Sequence, residues 1–253
     1  MSSLPSSSSA QLSSKQSDPT VRWSVIPKMS CAQSRQLAVL ATGRYSFDML
    51  SLMDLAGQRT AELTTHLAPD GPVLVVAGRG NNGAAGLAAA CHLANMGRRV
   101  FVVPTHEAEN YSGVPKEQLE KLAAQEGVRV RSSLPKMKFG CVIDAAVGTR
   151  LEGPPRGRTL DVITVVNNLG CPVLSLDVPT GLSADDGGVP GDVIHASATL
   201  ALILPKTGTP PGGEVGELYV TGLGLPPEAF TDAGLEPFDH HEPWSRVVWD
   251  EPI

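Results

Sequence analysis

The stretch PVLVVAGRGNNGAAG, residues 72–86, decides the fold. Val73, Leu74, Val75 and Val76 form an uninterrupted apolar run, and a strand with no polar face is one buried on both sides in a parallel sheet. Gly78, Gly80 and Gly83 then let the backbone turn tightly and approach a ligand that a Cβ would hold off. The Ala/Leu-rich residues beyond predict a helix over 86–96, its first N–H groups aimed at whatever the loop holds. Strand, glycine loop and helix together point to a phosphate-bearing small molecule bound on an α/β sheet.

Outward from that stretch, strand and helix patterns alternate. Strands are predicted at 73–78, 99–104, 128–131, 140–144, 172–177, 197–204 and 215–221. Helices are predicted at 86–96, 116–126 and 157–169, followed by Gly97, Gly127 and Gly170, the residue type expected just past a helix. This alternation predicts an α/β fold, a Rossmann-like three-layer sandwich with a mostly parallel sheet and helices on both faces. The last two strands have no helix between them, which leaves an antiparallel pair or a long loop. Upstream, Ser30 or Ser34 is a candidate cap for a short helix through Leu40. Met49, Leu52, Met53, Ala56, Leu63 and Leu67 then share one face of a second helix.

The chain has 253 residues, enough for one large domain, and a formal net charge of −6 with no Lys/Arg run, which argues against a nucleic-acid surface. No apolar stretch approaches the roughly 20 residues that span a bilayer, so a membrane is not an expected partner. Residues 1–28 are expected as a flexible Ser-rich tail, 29–225 as the Rossmann-type domain, and 226–253 as an acidic, Pro-rich extension draped on the surface. Cys31, Cys91, Cys141 and Cys171 are widely spaced and lack metal-site partners, so they read as small buried hydrophobes in a reducing, cytoplasmic setting. His240 and His241 have no third ligand at useful spacing and read as exposed histidines.

Ligands on open parallel sheets bind beyond the carboxyl ends of the strands. The first predicted strand delivers Asn81 and Asn82 there; the fourth delivers Asp144, then Gly148, Thr149 and Arg150. The fifth delivers Asp177, then Thr180, and the sixth delivers Lys206. Gly78, Gly80 and Gly83 match G-x-G-x-x-G, but the dehydrogenase mode wants an acidic residue about 20 positions on. Val103, Pro104 and Thr105 stand there instead, and no G-K-[ST] is present, so neither standard phosphate cradle fits. Asn82, Asp144 and Thr180 offer only oxygen ligands, which suits a hard cation.

These residues resemble a known family, the NAD(P)H-hydrate epimerases (the YjeF N-terminal domain). Its hallmarks are G-x-G-N-N-G-G-D-G, an aspartate followed by a G-T-G loop, and D-x-P-S-G. This chain has GRGNNGAAG at 78–86, DAAVGTRLEG at 144–153 and DVPTG at 177–181, in that order. LMDLAG at 52–57 looks like the family's L-M-E-N-A-G, and the similarity spans about residues 30–225. The resemblance implies an epimerase of hydrated NADH and NADPH, and a homodimer. It implies one potassium ion per subunit, held by Asn82, Asp144 and Thr180. It places Asp177 as catalytic acid/base, at the substrate, with Lys206 assisting. Asn81, Asn82, Gly83, Ala84 and Ala85, with the loop Gly148, Thr149, Arg150, Leu151, Glu152, Gly153 and Pro154, would line the dinucleotide. This chain departs from the pattern at Ala84–Ala85, Leu55, Ala38, Thr180 and Arg150. The missing carboxylate at Ala85 motivates an alternative, a weak or inactive member serving as a nucleotide-binding sensor or scaffold.

Overall fold

The computed structural model describes residues 18–151 and 153–250. In chain order the elements are β1 (Thr20–Arg22), α1 (Cys31–Thr42), α2 (Met49–Leu67), β2 (Val73–Ala77), α3 (Asn81–Asn95) and β3 (Val100–Pro104). Then come α4 (Gly113–Leu122), β4 (Val128–Val130), β5 (Cys141–Ala145), α5 (Arg158–Asn167), β6 (Val173–Leu176) and β7 (Ala198–Leu202). The chain closes with β8 (Glu217–Thr221), α6 (Pro227–Asp232) and β9 (Ser245–Val248). One nine-stranded sheet runs β1-β9-β8-β7-β6-β5-β2-β3-β4, parallel at every pairing except β8–β9. The α/β fold expected from the alternation is the fold observed.

β2 shows why these sequences choose strands. Val73, Val75 and Ala77 belong to the apolar layer under α2 and α3, while Leu74 and Val76 belong to the layer under α5. Successive side chains of a strand point to opposite faces, so a run without polar positions fills both layers. The helices are marked at their starts. Ser30 caps α1 in a capping box with Gln33, and the Asp48 carboxylate accepts the Ser51 N–H at 2.9 Å to begin α2.

α2 and α3 lie close together because Gly57 faces α3 without a side chain. A Cβ at Gly57 would stand 2.5 Å from Ala88 Cβ and 2.7 Å from the Ala89 nitrogen. Helix propensity favours alanine by about 1 kcal/mol, but backbone at that range cannot yield cheaply. Gly57→Ala is therefore expected to destabilise by about 1–3 kcal/mol through overpacking. Each kcal/mol lowers Tm by roughly 2–4 °C in a chain of this size, and thermal melting by circular dichroism measures it. An unchanged Tm would show that the helices part freely.

Three expectations change. The helix after β2 starts at Asn81 rather than 86, because Gly80 serves as its N-cap and both asparagines enter the first turn. β7 and β8 pair in parallel, joined by residues 203–216 with a single 3₁₀ turn, so the long loop holds and the antiparallel pair does not. The expected tails are partly built into the sheet. β9 pairs with β8, and β1 with β9, while Ala229, Phe230, Ala233 and Leu235 of the α6 region are buried. The few apolar positions of a proline-rich, acidic segment suffice when a sheet edge is there to receive them. Residues 1–17 of the Ser-rich stretch lie outside the described residues.

Candidate functional site

The strand order reverses between β2 and β5. From β2 the sheet grows through β3 to β4, then resumes on the other side of β2 with β5. A crevice opens beyond the carboxyl ends at such a switch point. Here it is a cavity of about 1000 Å³ whose lining includes Asn81, Asn82, Gly148, Thr149, Arg150, Asp177 and Lys206.

Behind the lining residues Ala146 and Val147, whose N–H groups donate to Asp144 and Thr180, lies a buried carboxylate. Asp144, the fourth residue of β5, is 1% exposed. Its Oδ1 accepts from the Thr180 hydroxyl at 2.7 Å, and its Oδ2 from the Thr180 N–H at 2.8 Å and the Ser175 hydroxyl at 2.9 Å. Burial pushes the Asp144 carboxyl above the usual carboxylate range, against the opposing pull of those hydrogen bonds. No cationic side chain among the described residues forms a salt bridge with it. Beside it, Gly148 brings its Cα close enough that a Cβ there would sit 3.3 Å from the Asn82 amide carbon. The Asn82 side chain is buried with neither its oxygen nor its nitrogen hydrogen-bonded. An orphaned amide normally costs about 1–3 kcal/mol. The Val147 carbonyl, 3.1 Å from Thr180 Oγ1, adds another oxygen to this corner. A buried carboxylate, an unpartnered amide oxygen and neutral oxygens fit a hard cation. Zinc-type ligation does not fit: among the described residues no group of three or more His, Cys, Asp or Glu is placed to hold a metal.

The second centre is an ion pair. Lys206 Nζ lies 2.5 Å from Asp177 Oδ1, with the lysine side chain 1% and the aspartate side chain 13% exposed. Lys206 Nζ also donates to the Leu204 carbonyl at 3.1 Å, and the Leu202 N–H donates to Asp177 Oδ1 at 3.2 Å. Both protein contacts therefore fall on Oδ1, which leaves Oδ2 for a ligand. Asp177 sits at φ +67°, and the Val178 N–H reaches across it to the Leu176 carbonyl at 2.9 Å. Ile203 repeats the turn at the end of β7, with φ +69° and a Leu204 N–H to Leu202 carbonyl bond of 2.9 Å. Such three-residue turns are rare and strained, of order 1–3 kcal/mol for a non-glycine residue. Strain of this kind persists where it aims a side chain.

The structure brings Asn81, Asn82, Gly148, Thr149, Arg150, Asp177 and Lys206 to one cavity; Asp144 and Thr180 are buried outside its lining, hydrogen-bonded to the lining residues Ala146 and Val147. Gly83, Ala84 and Ala85 it does not bring there. With α3 beginning at Asn81 they fall in its first two turns and are buried, Ala84 and Ala85 packed into the layer shared with α2. A Cβ at Gly83 would lie 1.8 Å from the Gly78 carbonyl oxygen, so its glycine serves loop closure. Leu151, Gly153 and Pro154 also stand away from the cavity lining, because the loop leads off toward α5 past Gly191. Glu152 lies outside the described residues. Arg35, Arg79 and His106 line the cavity without having been singled out. Ser175 braces Asp144 from within an apolar run, and a lone serine in PVLSLD was the available sign of it. His240 and His241 take up Ser245 and Asp239, away from the cavity.

Comparison with known proteins places this arrangement. The family model described as YjeF-related protein N-terminus matches residues 49–208. The NAD(P)H-hydrate epimerase of Truepera radiovictrix is 70% identical over 220 residues, 87% of this chain and 100% of that one. The NAD(P)H-hydrate epimerase of Dehalogenimonas lykanthroporepellens is 36% identical over 87% of this chain and 91% of its own length. Among solved structures, yeast ynu0, YNL200c, superposes with a TM-score of 0.75 at 25% identity, covering 85% of this chain and 96% of that one.

Proposed function

Because this chain belongs to the YjeF-related N-terminal family, we propose that it is an NAD(P)H-hydrate epimerase, interconverting the R and S forms of hydrated NADH and NADPH in nicotinamide nucleotide repair. The observation that carries the reading is Asp177, strained into the cavity with one oxygen engaged by Lys206 and the other unengaged. Inverting the hydrated carbon means breaking and remaking its bond to oxygen or to the ring nitrogen. A proton goes onto the departing atom and comes off again when the bond re-forms. A carboxylate fixed at the ring edge can carry that proton in both directions. Lys206 orients the carboxylate and offsets its charge, and Asn81 and Arg150 face the rest of the dinucleotide.

A potassium ion belongs to the same proposal, held by oxygens of Asn82, Asp144 and Thr180. It would neutralise the buried carboxylate, draw the Asn82 and Gly148 loops together and add positive potential beneath the pyrophosphate. Asp144 and Thr180 are thereby binding-site residues of the cation rather than of the substrate. We assign a homodimer as the assembly, checked by sedimentation; a single 26.5 kDa species would remove it. The four unpaired cysteines accord with a cytoplasmic location. No helix among the described residues is long and apolar enough to cross a membrane. The sensor or scaffold alternative rested on Ala85, which is fully packed and faces α2 rather than the cavity.

The test mixes purified protein with separated R and S hydrates and follows their interconversion by chromatography. A wild-type rate equal to the uncatalysed rate would end the enzyme reading.

A further inference from the structure

We propose that the cavity favours the 2′-phosphorylated dinucleotide, with Arg79 and His106 holding the extra phosphate beyond the end of β3. This rests on the reading of the cavity as a hydrated-dinucleotide site and specifies which form it takes.

Charge is the first observation. The whole chain carries −6, yet the charged side chains lining the cavity are Arg35, Arg79, Arg150 and Lys206 against Asp177 alone. Lys206 is taken up by Asp177. Arg79 is exposed and pairs with no carboxylate among the described residues. An acidic protein that gathers unpaired cations around one cavity is built for a polyanion, and the phosphorylated dinucleotide carries the more negative charge.

Position is the second. Asp177 follows β6, whereas His106 follows β3 and Arg79 lies in the loop after β2. From β6 to β3 the sheet order counts three strand spacings, β6-β5-β2-β3, or about 14 Å at about 4.8 Å each. That is roughly the reach of an extended dinucleotide from its nicotinamide ring to its adenosine ribose. With the hydrated ring at Asp177, the ribose 2′ position falls near β3. In open α/β sheets that strand end reads the ribose: a carboxylate there takes a free 2′-hydroxyl and repels a phosphate, whereas a nearby arginine accommodates it. Here the strand end carries Pro104, Thr105 and His106, and the neighbouring Glu107 is engaged by Arg158 at 3.1 Å.

The segment is also held in place. The Thr105 N–H donates to the Ala77 carbonyl at 2.9 Å, and the Tyr111 hydroxyl donates to the same carbonyl at 2.7 Å. His106 Nδ1 lies 2.9 Å from Thr105 Oγ1, so Nε2 is the nitrogen left to meet a ligand. Partial burial, and then the nearness of Arg79 and Arg158, hold the imidazole below its usual range. Arg79 and His106 each stand two residues past Ala77 and Pro104, which pair across β2 and β3, and both line the cavity, so one phosphate can be reached by both.

Wild type, Arg79→Ala and His106→Ala are titrated calorimetrically with oxidised NAD and NADP at low salt, alongside initial rates on hydrated NADH and hydrated NADPH. The expected result is that wild type binds NADP about tenfold more tightly than NAD, the effect of one charge-assisted hydrogen bond at a partly exposed site. Raising the salt narrows the difference. Arg79→Ala brings the ratio to within about twofold of unity, and the kcat/KM ratio for the two hydrates follows. Equal affinities in wild type, no measurable binding of either nucleotide, or a preference that survives both substitutions overturns the proposal. An Arg79-dependent binding preference without epimerisation of either hydrate sustains it and removes the epimerase reading instead. Epimerisation of both hydrates with equal kcat/KM and equal binding does the reverse.

Discussion

Asp177→Asn is expected to lower the epimerisation rate by about 10²–10⁴-fold, the range lost with a positioned general acid/base. Asparagine is the informative replacement because it tolerates the positive φ of this position better than most residues. It also keeps an oxygen for the Leu202 N–H and for Lys206. What it removes is the proton-carrying function and the counter-charge. The Lys206 side chain is 1% exposed, and breaking a buried ion pair by removing one partner destabilises by about 3–5 kcal/mol. Asp177 retains some exposure, so the lower end applies. The double variant Asp177→Asn, Lys206→Met removes both charges and is expected to regain much of the lost Tm while staying inactive. Recovery of stability without activity separates the chemical role of Asp177 from its structural one. Activity within a few-fold of wild type in Asp177→Asn would place the proton transfer elsewhere.

The second large effect concerns Asp144. In potassium-free buffer, adding potassium chloride is expected to raise the Tm of the wild-type protein, and choline chloride at the same ionic strength is not. At a hundredfold excess over Kd, a ligand confined to the folded state contributes about 2.7 kcal/mol, or roughly 5–10 °C here. Asp144→Asn should abolish that increment, since it removes the formal negative charge from the corner that Asn82 and Thr180 share. It should also lower potassium-dependent activity by at least about tenfold, the loss typical when a group supporting a bound ion is changed. A potassium increment that persists in Asp144→Asn would move the ion to another corner.

Much of the fold was legible because β2 and β3 carry no polar side chain and β5 and β7 only one each, Asp144 and Thr199, so each reads as a short strand buried on both faces. Glycines past the helices marked the turns back to the sheet. The site was legible for the same reason, since whatever follows a parallel strand faces the crevice, and that rule alone gathers Asn81, Asn82, Asp144, Asp177 and Lys206. It could not say which residues of a helix's first two turns face inward. Gly83, Ala84 and Ala85 follow a strand too, but α3 begins early enough to turn them toward α2. Nor could it find β9, whose buried positions, Ser245 and Val247, are scattered among charged neighbours. A four-residue strand is specified by the neighbours it pairs with, here β8 and β1, rather than by its own pattern. The Asn82–Gly148 approach and the turn at Asp177 are tertiary geometry, which no local spacing encodes.

The pairing of β1 with β9 sets the order in which this molecule can be completed. Thr20 aligns with Arg246 and Val21 with Val247, so the first strand made waits for the last. Contacts so distant along the chain form late, after the intervening sheet has closed most of the loop between them. During synthesis the β8 edge stands bare until β9 has left the ribosome, and an unpaired strand edge invites association with other chains. A nascent chain stalled or clipped before residue 245 would lose β9 and, with it, the only strand paired with β1 among the described residues. It would retain Asp177, Lys206 and the Asp144–Thr180 corner, yet be prone to aggregate. The β1–β9 pairing therefore ties the closing of one side of the sheet to segments about 225 residues apart, by a route that does not pass through the cavity.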